Sequence, residues 1–163
     1  MLKIWKLQIS LLGIFCAAIL VEISIIPSLW APLRVDFLIG LIIGQVIFIP
    51  FYQGFSFVVL ASLMMEAFSG ARIGLIPLLY VALYLATDLL KEVIYLENVY
   101  VQAVLGVLFY FVLAGSTAMI TGTSFLGDMI VPLVAGMVLT GLVSPFMARL
   151  VGRLQTSYGL REL

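Results

Sequence analysis

Six long apolar stretches dominate this chain and leave little sequence for anything else. Each is about 15 to 23 residues long, close to the ~20 residues with which a helix crosses the hydrocarbon core of a bilayer. They run at roughly 7–26, 35–49, 54–68, 73–95, 99–121 and 129–150. We therefore predict an all-α integral membrane protein, a compact bundle of six transmembrane helices that forms one domain over residues 1–163.

The composition is typical of a membrane protein. Hydrophobic residues make up 64% and charged residues 10% of the 163 residues, and the mean hydropathy is +1.29. A soluble domain carries about 25% charged residues, and a β-barrel would show alternating segments of about ten residues. Eight basic and eight acidic residues cancel, so the charge balance gives no reason to expect nucleic acid as a partner.

The basic residues predict how the bundle crosses the membrane. Six spans with a cytoplasmic N-terminus place these basic residues inside: Lys3, Lys6, Lys91, Arg149, Arg153 and Arg161. Only Arg34 and Arg72 then lie outside, in agreement with the positive-inside rule. Both termini are therefore predicted to be cytoplasmic. A single helix kinked at Pro50 would join the second and third stretches, but residues 50–54 (PFYQG) favour a tight turn.

Carboxylates within or beside the apolar stretches are the main candidates for binding. They are Glu22, Asp36, Glu66 and Asp88. A charge at the centre of a membrane helix costs at least ~2.5 kcal/mol on insertion scales. Each carboxylate is therefore expected to face the protein interior, a cavity or a partner.

We expect one external charged cluster made by the starts and ends of neighbouring spans. Arg34 and Asp36 flank the start of the second span, and Glu66 lies near the external end of the third, followed by Gly70 and Arg72. Two interpretations of Glu66 remain open. Its carboxylate orients the turn at residues 69–70 or binds a partner, or it simply pairs with one of the two arginines. Glu22 is on the same predicted side.

The fourth span carries a polar stripe. Residues at steps of three and four share one helix face, and here they are Tyr80, Tyr84, Thr87, Asp88, Lys91 and Tyr95. Asp88 and Lys91 are three apart and can pair. The stripe is interpreted as a buried seam that fixes helix packing, as a snorkelling Lys91, or as a contact for a partner. A proton pathway is disfavoured because the chain has no histidine.

Small residues recur at spacings that favour close helix packing. Gly40 and Gly44 form a GxxxG in the second span. A second row in the sixth span consists of Gly136, Thr140, Ser144 and Ala148. Packing inside the bundle is the default interpretation, and docking of another protein's helix is the alternative.

Nothing in the sequence predicts catalysis. There is no nucleophile elbow and no phosphate-binding glycine loop. With no histidine and one cysteine, Cys16, the chain offers neither a base for its serines nor a set of metal ligands. We expect no enzyme activity, no cofactor and no metal.

With these features, the chain resembles the MreD family of bacterial rod shape-determining proteins. The similarity covers most of the length and is strongest between residues 33 and 90. Residues 33–38 (LRVDFL) lead into the second span, Gly54 opens the third, and residues 66–70 (EAFSG) are followed by Gly74. The chain has Glu66 where many members have aspartate, and the 50–54 turn lacks the basic residues often found there.

The resemblance implies a non-enzymatic scaffold of the cell-elongation machinery in the bacterial inner membrane. Members associate with MreC, and through it with RodA and a class B penicillin-binding protein, while MreB lies on the cytoplasmic side. Membrane lipids surround the bundle. For this chain, Arg34, Asp36, Glu66, Gly70, Arg72 and Asp88 are the candidate partner-binding residues.

The same resemblance implies a fold similar to the substrate-binding components of energy-coupling-factor vitamin transporters. A six-span vitamin-binding subunit is therefore the alternative function. Such a subunit would be expected to carry a substantial external loop over a polar pocket. The longest external segment here, at about 27–34, is short and apolar, which favours the scaffold.

Overall fold

Six α-helices form in the computed structural model, which describes residues 2–22, 35–69, 74–121 and 130–157. In chain order they are α1 Leu2–Leu20, α2 Phe37–Phe48, α3 Phe51–Ser69, α4 Leu75–Leu90, α5 Val99–Thr121 and α6 Ile130–Ser157. These four ranges contain no β-strand. The prediction of an all-helical chain is confirmed.

The second and third apolar stretches are two helices, not one kinked helix. Ile49 is extended (φ −122°, ψ 141°), because the residue before a proline is disfavoured in the α region. The Pro50 carbonyl then accepts hydrogen bonds from the N–H groups of Gln53 (3.0 Å) and Gly54 (3.1 Å). The break is shorter than predicted, since residues 51–54 already form the first turn of α3.

The fourth span is shorter than predicted and the sixth is longer. α4 ends at Leu90, and the chain then makes two tight turns, in which Ile94 N–H donates to the Leu90 carbonyl (2.8 Å). Asn98 starts α5, with its side-chain oxygen accepting from the N–H of Tyr100 (2.9 Å). α6 continues to Ser157, seven residues beyond the predicted end at 150, and Arg153 in this extension is a good helix former.

Among the described residues, three helices are long and apolar enough to cross a membrane. These stretches are Phe51–Phe68, Val99–Met119 and Ile130–Ser157. Three further apolar stretches are shorter, namely Lys6–Leu20, Phe37–Phe48 and Leu75–Leu90. The twelve residues of α2 extend only ~18 Å, well under the ~30 Å of a hydrocarbon core. Length and composition thus indicate a membrane protein, with three clear candidate spans.

The shortest helix is the centre of the bundle. All nine residues from Leu38 to Val46 in α2 are buried. α2 packs most extensively against α6, and it also contacts α1, α3, α4 and α5. α6 packs in addition along α5, and α3 packs along α4. α2 is therefore shielded by protein for most of its length.

The two predicted rows of small residues face each other across α2 and α6. A Cβ atom added to Gly40 would lie 2.9 Å from Ser144 Cα, and one added to Gly44 would lie 2.9 Å from Ala148 Cα. Gly136 and Thr140 of the same row are buried. Only hydrogen at the glycine positions permits this approach, so these rows pack the two helices together within the bundle.

The described residues combine a mainly apolar core, which also holds some polar side chains, with a surface that is apolar as well. The buried polar residues are Asp36, Gln45, Ser62, Glu66, Thr87, Gln102, Thr140 and Ser144. Large apolar side chains cover the outside, including Met119 (84% exposed) and Leu89 (71% exposed). A bilayer stabilises such a surface, whereas water makes an apolar patch of this size a liability.

Candidate functional site

Asp36 connects three helices at one end of the bundle. It is the N-cap of α2, where its Oδ1 accepts a hydrogen bond from the N–H of Ile39 (3.2 Å). Its Oδ2 accepts from the Tyr80 hydroxyl of α4. Its own backbone N–H donates to Thr140 Oγ1 of α6 (3.1 Å). We call Asp36, Tyr80 and Thr140 the Asp36 cluster.

The Asp36 cluster is buried and has further polar neighbours. Asp36 is 7% and Tyr80 4% exposed, and Thr140 is fully buried. Glu22, just beyond α1, and Tyr110 of α5 are close enough to interact electrostatically with the Tyr80 hydroxyl. Hydrogen bonds of the Asp36 cluster therefore join α2, α4 and α6. Buried hydrogen bonds of this kind fix the relative position of helices, because leaving one partner unsatisfied is costly.

Glu66 lies at the same end and joins α3 to α4. Its Oε1 accepts a hydrogen bond from the Gly74 N–H (2.5 Å). Gly74 is in the left-handed region (φ 93°, ψ −13°) at the start of α4, a conformation that glycine adopts without steric cost. Tyr80 follows six residues later, ~9 Å along the helix. Glu66 therefore fixes the backbone where α4 begins, and the turn at residues 69–70 that it was expected to orient lies partly outside the described residues.

The predicted charged cluster is described only in part. Asp36 and Glu66 lie at the end just described. Arg34, Gly70 and Arg72 lie outside the described residues. Among the described residues, both carboxylates bind backbone N–H groups.

The polar stripe of α4 divides into a buried and an exposed part. Tyr80, Tyr84 and Thr87 are buried. Asp88 forms an ion pair with Lys91, and their side chains are 24% and 41% exposed. Asp88 was expected to face the protein interior, a cavity or a partner; it is partly exposed and pairs with Lys91, because α4 ends two residues later and the pair reaches the surface. Tyr95 is off the helix, and its hydroxyl donates to Glu97 (2.8 Å).

Two buried glutamines were not anticipated. Both side-chain polar atoms of Gln45 in α2 lack a hydrogen-bond partner among the described residues, although the residue is fully buried. Gln102 in α5 donates to the Leu96 carbonyl (2.9 Å), and its Oε1 is without such a partner. The only available signal was an amide within an otherwise apolar run. Nothing in the structure explains why Gln45 is polar.

The opposite end of the bundle carries open cavities. One of about 430 Å³ is lined by Leu7, Gln53, Lys91 and Gln155. Gln8 of α1 also donates to the Gln53 carbonyl (3.4 Å). The beginning of α1 and the end of α6 therefore lie at the same end as Lys91. We call this the Lys91 end.

The two described carboxylates in this region hold helices and turns in place, since both bind backbone N–H groups. None of the described residues forms a group of three or more His, Cys, Asp or Glu side chains that could hold a metal ion. The carboxylates of Asp36 and Glu66 accept hydrogen bonds from protein groups that they position. Comparisons of the chain with protein-family models, curated proteins and solved structures give no match.

Proposed function

We propose that the chain is a non-enzymatic membrane scaffold of the bacterial cell-elongation machinery, similar to MreD, which binds MreC and supports peptidoglycan synthesis. The observation that carries this proposal concerns the two segments with the strongest resemblance. In each, the acidic residue fixes the backbone at one end of the bundle: Asp36 starts α2, and Glu66 fixes the start of α4 through Gly74. A scaffold requires such a fixed surface and no reactive group.

We further propose that all six helices cross the inner membrane. The support comes from the Lys91 end, where the beginning of α1 and the end of α6 meet around one cavity. An even number of crossings brings the termini to the same side. Lys6, Lys91, Arg149 and Arg153 lie at or beside this end, so the positive-inside rule makes it cytoplasmic. The Asp36 end is then external.

The short helices do not oppose this arrangement. α2 is surrounded by other helices, so its ends need not reach the lipid headgroups. α4, with 16 residues, extends ~24 Å, and a bilayer accommodates a short span by local thinning at a modest free-energy cost.

MreC is assigned to the external Asp36 end. Through MreC, the chain would contact RodA and a class B penicillin-binding protein, while MreB would approach the Lys91 end. Asp88 is a less suitable contact for an external partner than the sequence suggested, because it pairs with Lys91 at the opposite end.

Co-purification with tagged MreC from membranes tests this proposal. Glu66→Ala removes the acceptor of the Gly74 N–H and should weaken MreC capture. Glu66→Gln keeps an acceptor oxygen and should retain most of it. Asp88→Ala is the matched control, since it removes a carboxylate at the other end and should leave capture unchanged.

Two results would contradict the proposal. One is wild-type protein that inserts into membranes and does not capture MreC. The other is uptake of a vitamin by liposomes in which the chain is combined with a transporter's energy-coupling module, which would favour the vitamin-binding alternative.

A further inference from the structure

An exposed apolar stripe of α6 ends in two arginines. The stripe consists of Val131, Val134, Val138, Leu142 and Phe146, all exposed. Arg149 and Arg153 follow at steps of three and four and are exposed as well. Because such steps keep residues on one helix face, the apolar stripe and the two guanidinium groups form one continuous surface.

The depth of the arginines matches the boundary of a bilayer. Arg149 is 19 residues beyond Ile130, or ~28 Å along the helix, and Arg153 is ~34 Å along it. A hydrocarbon core is ~30 Å thick. If Ile130 lies at one edge of the core, the guanidinium groups lie at the level of the phosphates on the other side.

A cavity of about 580 Å³ opens beside the two arginines, between the end of α6 and Phe48 of α2. Its described lining contains Arg149, Arg153 and Thr156 and no acidic residue. Gly152 forms its floor, where an added Cβ would lie 2.9 Å from the Phe48 ring. Among the described residues, neither arginine has a carboxylate within ion-pair distance. The ion pair found in this part of the chain joins Lys91 to Asp88.

The neighbouring cavity provides a contrast. It measures about 400 Å³ and is lined by Lys91 together with Glu92 and Glu97, so its charges are mixed. Three cavities are described at the Lys91 end. Of these, the cavity beside Arg149 and Arg153 is the one that combines two cations with an adjoining apolar stripe.

We propose that Arg149 and Arg153 bind the phosphate of an anionic phospholipid, whose acyl chain lies along Phe146 and Leu142. Guanidinium groups bind phosphate oxygens through paired hydrogen bonds. Basic pockets at helix ends on the cytoplasmic side are the places where anionic headgroups gather. Placing this lipid in the cytoplasmic leaflet rests on the proposed function and its topology. Binding of the lipid by the two arginines does not depend on either.

Native mass spectrometry of the purified full-length chain tests this site. The protein is equilibrated in detergent micelles with phosphatidylglycerol or with phosphatidylcholine, and the retained lipid is measured. Wild-type protein should retain phosphatidylglycerol in preference. The double change R149Q/R153Q should weaken that retention by about thirtyfold, which corresponds to ~2 kcal/mol for the two basic residues together.

The matched control is K3Q/K6Q, which removes two positive charges near the predicted cytoplasmic end, and it should lose much less retention than R149Q/R153Q. Three results would overturn the proposal: a wild-type chain without preference for phosphatidylglycerol, equal losses in both double variants, or displacement of the lipid by inorganic phosphate. If R149Q/R153Q fails to fold, the single variant R153Q is measured in its place. The lipid preference of the wild-type protein still decides the test in that case. No MreC is present, so failure here is distinct from failure of the scaffold function.

Discussion

Gly40→Ala is predicted to separate the two most extensively packed helices. The added Cβ atom would lie 2.8 Å from Met147 Cβ, 2.9 Å from Ser144 Cα and 3.1 Å from the Ser144 carbonyl oxygen. Two of these three atoms belong to the backbone of α6, so no rotamer change relieves the overlap. Ordinary contact begins at 3.4 Å, and α2 would have to move away by roughly half an ångström.

That movement has a second consequence one helical turn away. The Asp36 N–H donates to Thr140 Oγ1 at 3.1 Å, and the same displacement would lengthen the bond to roughly 3.6 Å, beyond hydrogen-bond range. Overpacking costs ~1–3 kcal/mol, a lost hydrogen bond ~1 kcal/mol, and the better helix propensity of alanine returns at most ~1 kcal/mol. We expect a net loss of about 2 kcal/mol in the free energy of unfolding.

Thermal unfolding in detergent micelles measures this effect. A protein of this size loses ~2–4 °C for each kcal/mol, so the midpoint should fall by about 4–8 °C. Gly115→Ala is the matched control, because an added Cβ at this helical glycine of α5 meets nothing within 4 Å. If both variants unfold at the same temperature, the backbones of α2 and α6 are not in close contact at Gly40, and the predicted overlap is refuted.

Further predictions concern the two ends of the bundle. Tyr80→Phe removes the donor to the buried Asp36 and should cost about 1–3 kcal/mol of thermal stability; no loss would mean that another group replaces it. Asp88→Ala should cost less than about 1 kcal/mol, because the pair with Lys91 is partly exposed; a larger loss would indicate burial. Gly74→Ala should cost about 1–2 kcal/mol, because φ is positive, and an unchanged midpoint would contradict that conformation. Reporter fusions at the two termini should locate both in the cytoplasm, and opposite sides would refute six crossings.

The helices could be predicted because each depends on a local property of the sequence. Apolar stretches of helix length separated by turn residues predicted all six, and α5 begins and ends at the predicted residues. The end of α4 could not be predicted, because residues 91–95 (KEVIY) continue an acceptable helical pattern. Only the turns at Leu90 and Asn98 show where the helix stops.

The candidate site depends on contacts between distant residues. Asp36 could be identified as an unusual carboxylate, but its partners Tyr80 and Thr140 are 44 and 104 residues away. No spacing rule connects them. Similarly, Gly106 of α5 and Gly141 of α6 approach closely, with an added Cβ on Gly106 only 3.2 Å from Gly141 Cα. Neither belongs to a regular row of small residues, so the sequence did not single them out.

The length of α2 gives a physical reason for a carboxylate in an apolar stretch. In the proposed six-span arrangement, a helix of ~18 Å inside a ~30 Å core cannot bring both ends to water, and its free N–H groups need partners within the protein. Asp36 supplies one directly, to Ile39, while Thr140 accepts its own N–H. The Tyr80 hydroxyl donates to the remaining carboxylate oxygen. The residue that first appears as a candidate contact for a partner therefore caps the central helix and holds it to α4, and Asp36→Ala should lower the thermal unfolding midpoint whether or not MreC is present.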